Sequence, residues 1–197
     1  MHISEGVLSP PILLGGVVFT LIGLTIGLKN LRENKLPEVA ILSSTFFVAS
    51  LIHIPVGPSS AHLILNGLVG ILLGWVAFPA IFLGLFLQAI LFQFGGITTL
   101  GINTFIMAFP SVIVWYLFKN FIQKDNIFTF TSGFLSGFLS IIFSAILVSL
   151  MLYFTQKSFF SLIVTLISIH IPIAIVEGLI TGFILIYLKK IKPEVLL

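Results

Sequence analysis

The sequence predicts an all-α membrane protein, a polytopic bundle of about seven transmembrane helices with its N-terminus outside and its C-terminus in the cytoplasm. Three observations carry this expectation. Of the 197 residues, 58% are hydrophobic and 8% charged, where a soluble domain has about 25% charge, and the mean hydropathy is +1.26. The nine basic and six acidic residues gather mostly in three clusters, leaving apolar runs long enough to cross about 30 Å of hydrocarbon as helices. Finally, the basic residues fall almost entirely on one side of those runs. A nucleic-acid binder, a disordered chain and a coiled coil are excluded, and residues 1–197 read as a single membrane domain. The absence of Cys removes disulfides, thiolate metal ligands and Cys nucleophiles together.

Taken in order, Met1 to Pro11 holds no Lys or Arg and no small-residue cleavage site, so it reads as working protein and not as a signal peptide. The apolar runs between polar or Pro/Gly breaks predict helices over 11–28, 38–55, 60–78, 79–94, 103–118, 129–155 and 159–188, the fourth and fifth being short. Lys29, Arg32 and Lys35 follow the first, Lys119 and Lys124 the fifth, and Lys189, Lys190 and Lys192 the seventh. The excess of Lys and Arg marks that side as cytoplasmic, with Lys157 alone on the other. This topology expects a multi-pass protein of the inner, cytoplasmic membrane. All four His then fall in its outer half. Gly23 and Gly27, and Gly133 and Gly137, form Gly-x-x-x-Gly pairs that permit close helix crossing. The 21 Phe show no cofactor-box spacing and read as lipid-facing or core bulk.

Polar groups inside such a bundle are the candidates for chemistry. Residues 53–62 are too rich in Pro, Gly and Ser to stay helical, because Pro55 and Pro58 break the run. His62 is expected to open the third helix with Asn66 one turn later on the same face. That pair is either a ligand site or two groups bonded to water and loop carbonyls. His170 and Glu177 lie two turns apart on one face of the seventh helix. A carboxylate there costs about 2.5–3.5 kcal/mol on insertion scales and must face a partner. It is a proton relay or ion ligand, or it makes one structural hydrogen bond. Gln88, Gln93 and Asn103 read as hydrogen-bonding glue between helices. No phosphate loop, His-Glu-x-x-His or Gly-x-Ser-x-Gly is present, so energy for uphill transport must come from elsewhere.

A His in second position has a chemistry no internal His has. The α-amine of Met1, the backbone nitrogen of His2 and an imidazole nitrogen of His2 can close adjacent five- and six-membered chelate rings in one plane. Nickel(II), copper(II) and cobalt(II) can displace the amide proton that this requires; magnesium cannot. One planar position stays open, and His62, on the same side of the membrane, is placed to fill it. The alternative is that the His at position two is there by chance.

The opening Met1-His2-Ile3-Ser4-Glu5-Gly6-Val7-Leu8, the stretch Pro55-Val56-Gly57-Pro58-Ser59-Ser60-Ala61-His62-Leu63, and Gly95-Gly96-Ile97-Thr98-Thr99-Leu100-Gly101-Ile102-Asn103 resemble the CbiM/NikM family. These are the substrate-binding membrane subunits of energy-coupling-factor importers for cobalt and nickel. The resemblance, over essentially the whole chain, implies a seven-helix bundle whose tail folds back into the outer face. It implies that Met1 and His2 supply three nitrogens and His62 the fourth, with His53, Ser59, Ser60, Asn66 and Asn103 around them. His53 stands where some relatives have Asn, and Ile106-Met107-Ala108 replaces an Asn-Met-Gly pattern. Co2+ or Ni2+ is expected as transported substrate, with no organic cofactor; nitrogen donors alone do not choose between them. The implied partners are a transmembrane coupling subunit, ATP-binding subunits, a small accessory membrane subunit and the lipid bilayer, with no nucleic acid. Two other classes follow from the residues: a self-sufficient ion-coupled transporter or channel using His170 and Glu177, and, more remotely, an intramembrane hydrolase built from Ser59 or Ser60 with His62 or His170.

Overall fold

The computed structural model describes residues 2–51, 53–56, 59–156 and 160–196. Seven α-helices occur in chain order: α1 Pro10–Asn30, α2 Leu36–Ala49, α3 Asn66–Leu73, α4 Ala77–Phe92, α5 Leu100–Phe118, α6 Asn126–Thr155 and α7 Phe160–Ile191. Between α2 and α3 runs a two-stranded antiparallel hairpin, β1 His53–Val56 and β2 Ser59–His62, in the register His53↔His62 and Val56↔Ser59.

Seven helices are present, but not all are long enough to span a bilayer alone. Among the described residues, five segments are long and apolar enough to cross a membrane: α1, the run Asn66–Phe92, α5, α6 and Leu162–Ile191 of α7. At 1.5 Å per residue, the 14 residues of α2 reach about 21 Å and the eight of α3 about 12 Å, short of about 30 Å of hydrocarbon. Nor is Asn66–Phe92 one straight rod. Gly74, at φ +57°, ends α3, and a 3-10 turn over Gly74–Val76 leads into α4.

A correction concerns the segment before α3. Expected as helix from residue 60, it is strand through His62 and irregular to Leu65, which has φ +57°. His62 and Asn66 are therefore not one turn apart on a helix face. Pro55 supplies no backbone N–H, and a left-handed residue at 65 cannot sit inside a right-handed helix. Likewise α2 stops at Ala49, short of the expected 55, where Ser50 Oγ donates to Phe47 O at 2.9 Å.

The bundle has two chemically distinct ends. At one, the tail meets the α4–α5 loop, Glu5 N donating to Gly95 O at 3.1 Å, and the start of α1 meets the end of α6, Ser9 N donating to Thr155 Oγ1 at 3.4 Å. At the other, Lys29, Arg32 and Lys35 border a cavity of about 410 Å³ with Trp75 and Trp115. There too Lys189 donates to the carbonyl of Lys124, and Gln123 Nε2 donates to Leu196 O at 3.0 Å. The basic residues after α1, α5 and α7 thus share one end; Lys157 lies outside the described residues.

Both Gly-x-x-x-Gly pairs serve internal packing. Gly23 abuts the ring of Phe78 and Gly27 abuts Pro79, while a Cβ on Gly137 would lie 2.5 Å from Glu177 O. A stripe of serines on α6 faces inward as well. Ser140 Oγ donates to Asn66 Oδ1 at 3.0 Å, Ser144 Oγ to Ile106 O at 3.0 Å, and Asn66 Nδ2 to Ser144 Oγ at 3.1 Å. This network seats the start of α3 between α5 and α6, so the hairpin leads into a fixed point deep in the bundle.

Candidate metal site

The tail is tied down at each residue that matters. Asn103 clamps Ile3, accepting its N–H at 2.9 Å and donating to its carbonyl at 3.0 Å. Glu5 Oε1 accepts from Thr98 N at 2.8 Å and Thr98 Oγ1 at 3.0 Å, bonds that hold its carboxyl below the usual carboxylate range. Gly95, at φ +76°, lets the loop approach; a Cβ there would come within 2.8 Å of Asn103 Nδ2. His2, between these clamps, is 5% exposed.

Two imidazoles meet beneath the tail. His2 Nδ1 and His62 Nε2 are 3.1 Å apart, and the rings stack at 4.7 Å between centroids. Their outer nitrogens decide what this contact is. His62 Nδ1 lies 2.7 Å from Leu63 O, which can only accept, so Nδ1 carries the proton. His2 Nε2 lies 2.6 Å from Gln88 Oε1. The Gln88 amide is oriented by its nitrogen, which donates to Ser50 Oγ and faces Phe47 O at 3.5 Å. With each outer nitrogen donating to a carbonyl, the assigned tautomers of the neutral rings point two lone pairs at one another. Such a juxtaposition asks for a cation between them. Two nitrogens held cis on one ion by bonds of about 2.0–2.1 Å stand about 2.8–3.0 Å apart, close to the spacing found.

Burial above all, then the charge of the N-terminus and the neighbouring His2 ring, holds the His62 imidazole well below its usual range. Among the described residues no group of three or more His, Cys, Asp and Glu could hold an ion. The described side chains bring two nitrogens together, those of His2 and His62. Met1, expected to contribute one, lies outside the described residues.

The other expected site residues divide. Asn103 holds the tail and not the imidazoles. Asn66 is turned into the α5–α6 network, its amide also donating to Met107 O at 3.0 Å. His53, Ser59 and Ser60 form the hairpin backbone, and their side chains lie outside what is described. Glu177, fully buried, accepts the N–H of Ile64 and that of Leu65, the latter at 2.9 Å. It anchors the chain between hairpin and α3, the structural use of an intramembrane carboxylate. His170 Nδ1 lies 2.7 Å from Leu166 O.

Sequence reasoning had Gln88 as interhelical glue and passed over Ser50. A lone amide in the apolar run of α4 was the available signal, but nothing in the sequence links it to a residue 86 positions away.

Known proteins resemble this chain along nearly its whole length. The model of the family described as cobalt uptake substrate-specific transmembrane region, CbiM, matches residues 2–195. A putative metal transport protein of Haemophilus influenzae is 42% identical over 202 residues, covering all of this chain and 97% of the relative. A cobalt transport protein CbiM of Kyrpidia tusciae is 32% identical, covering all of this chain and 86% of the relative. A putative fused nickel transport protein NikMN of Archaeoglobus fulgidus is 30% identical, covering all of this chain and 68% of the relative. The crystal structure of a transition metal transporter superposes with a TM-score of 0.85 at 29% identity, covering 97% of this chain and 93% of the other. A tail folded onto a paired His2 and His62, on a chain matched almost end to end, makes this protein a member of the CbiM family of cobalt uptake substrate-specific transmembrane regions.

Proposed function

We propose that this chain is the substrate-capturing membrane subunit of an energy-coupling-factor importer, binding Ni2+ or Co2+ at the outer face of the cytoplasmic membrane. The observation that carries the reading is the pair of facing lone pairs on His2 Nδ1 and His62 Nε2. The Met1 amine and the His2 backbone nitrogen complete a planar set of four nitrogens, in which His62 lies opposite the amide nitrogen. Hard ions are rejected because they cannot drive the amide proton off. The gathering of Lys and Arg at the far end supports a tail that faces outward. A coupling subunit and ATP-binding subunits supply the work of import, since the sequence carries no phosphate loop. The commitment of Glu177 to two backbone N–H groups speaks against a carboxylate that shuttles ions unaided.

The test is metal analysis and competition binding on full-length protein with its native N-terminus, compared with His62→Ala and with a variant carrying one Gly between Met1 and His2. His62→Ala should cost more than the 10–100-fold that an outer partner of a metal ligand is worth, and the insertion should strongly weaken uptake. The insertion variant must recruit a second backbone nitrogen to stay planar. Its residual binding should be steeper in pH and indifferent to His62. Wild-type uptake with the extra Gly in place, still dependent on His62, would refute the chelate.

A further inference from the structure

We propose that His170 sets which transition metal the site favours, by accepting a hydrogen bond from a water bound to the ion on an open side of its nitrogen plane. The inference rests on the metal reading above and begins from an orphan. His170 is 1% exposed, its Nδ1 is committed to Leu166 O, and its Nε2 is buried with no hydrogen-bond partner among the described residues. Buried polar atoms in that state are few, and ordered water or an ion is their usual explanation.

Position links the orphan to the metal pair. Glu177 holds the backbone of Ile64 and Leu65. Seven residues back along α7 is about 10 Å at 1.5 Å per residue, on nearly the same face. From residues 64–65 back to His62 is two or three residues of near-extended chain, about 7–10 Å. His170 therefore stands level with His62, and α7 does pack against β2.

The three imidazoles do not form one ligand group as they stand, so contact between His170 and the ion runs through an intervening ligand. With Nδ1–H given to Leu166 O, Nε2 is an acceptor. Water on a divalent ion is a strengthened donor, because the ion lowers its pKa. A planar set of four nitrogens satisfies Ni2+ with nothing above or below it, whereas Co2+ accepts a fifth ligand. An acceptor waiting on the open side thus stabilises the hydrated Co2+ complex and does little for planar Ni2+.

The experiment measures Co2+ and Ni2+ affinities and the visible spectrum of the Co2+ complex on full-length wild type, His170→Leu and His170→Gln. In His170→Leu, Co2+ affinity should fall about tenfold, the scale of one hydrogen bond to a charged partner, with Ni2+ changed less than twofold. Its Co2+ spectrum should shift from five-coordinate toward four-coordinate. His170→Gln, which keeps an acceptor oxygen, should restore both. Equal losses for the two ions would mean that His170 only packs, and would overturn the proposal, as would an unchanged selectivity and spectrum. A wild-type chain that binds neither ion would overturn the metal reading itself, and this inference with it.

Discussion

Replacing Gln88 by Leu removes one carbonyl oxygen and leaves every proposed metal donor in place. In the native protein that oxygen lies 2.6 Å from His2 Nε2, in a side chain that is fully buried. It fixes the tautomer in which Nδ1 is free of a proton and turned toward His62. Without it, the other tautomer, with its proton on the metal-facing nitrogen, becomes accessible, and the ring loses its orienting bond. One buried hydrogen bond of this kind is worth roughly 1–1.5 kcal/mol, or about tenfold in affinity. Ser50, now left without the amide nitrogen it accepts from, and loosening of His2 can extend the loss to about a hundredfold. Competition titration with Ni2+ on full-length protein reads the effect directly. Gln88→Glu keeps an acceptor toward Nε2 and should stay within a few-fold of wild type. If Gln88→Leu binds within twofold of wild type while His62→Ala does not, the tautomer argument is wrong.

Two further outcomes follow from the same geometry. The folded-state proton affinity of His62 is depressed, so the folded chain holds fewer protons there than the unfolded chain; stability is fully present above the ordinary imidazole pKa of about 6.5 and declines as pH falls below it. His62 should accordingly contribute no loss of Ni2+ affinity between pH 7.5 and 6.5, which a comparison of wild-type and His62→Gln pH profiles will check. Gly137→Ala should destabilise the chain by about 1–3 kcal/mol in a thermal melt, because its Cβ would lie 2.5 Å from Glu177 O and force α6 and α7 apart.

The lipid-facing character, the polarity of the ends and the close glycine crossings were legible because they depend on composition along a run. Lys29, Lys124 and Lys189 needed no partner to be read. The shape of residues 53–65 was only half legible. Pro55 and Pro58 announce a break, yet the delayed start of α3 depends on Leu65 taking a left-handed conformation and on Glu177 receiving the N–H groups that a longer helix would have used. Those are tertiary facts. His2 and His62 were visible through the chemistry of a second-position His and the family resemblance. Gln88 was visible as a residue and not as a role, and Asn66, expected near the metal, is spent on holding α3.

The tail that leaves the ribosome first finds its docking partners only about halfway along the chain. His2 waits 86 residues for Gln88 and Ile3 waits 100 for Asn103, and the backbone below His62 is secured only by Glu177, 112 residues beyond Leu65. Contacts of such separation form late, because a long loop must close before any of them is rewarded. During synthesis and insertion His2 therefore waits for Gln88 and for an anchored His62 before it is held as in the folded chain. The anchor below His62 arrives only with the final helix, so the proposed site is assembled by contacts that close late.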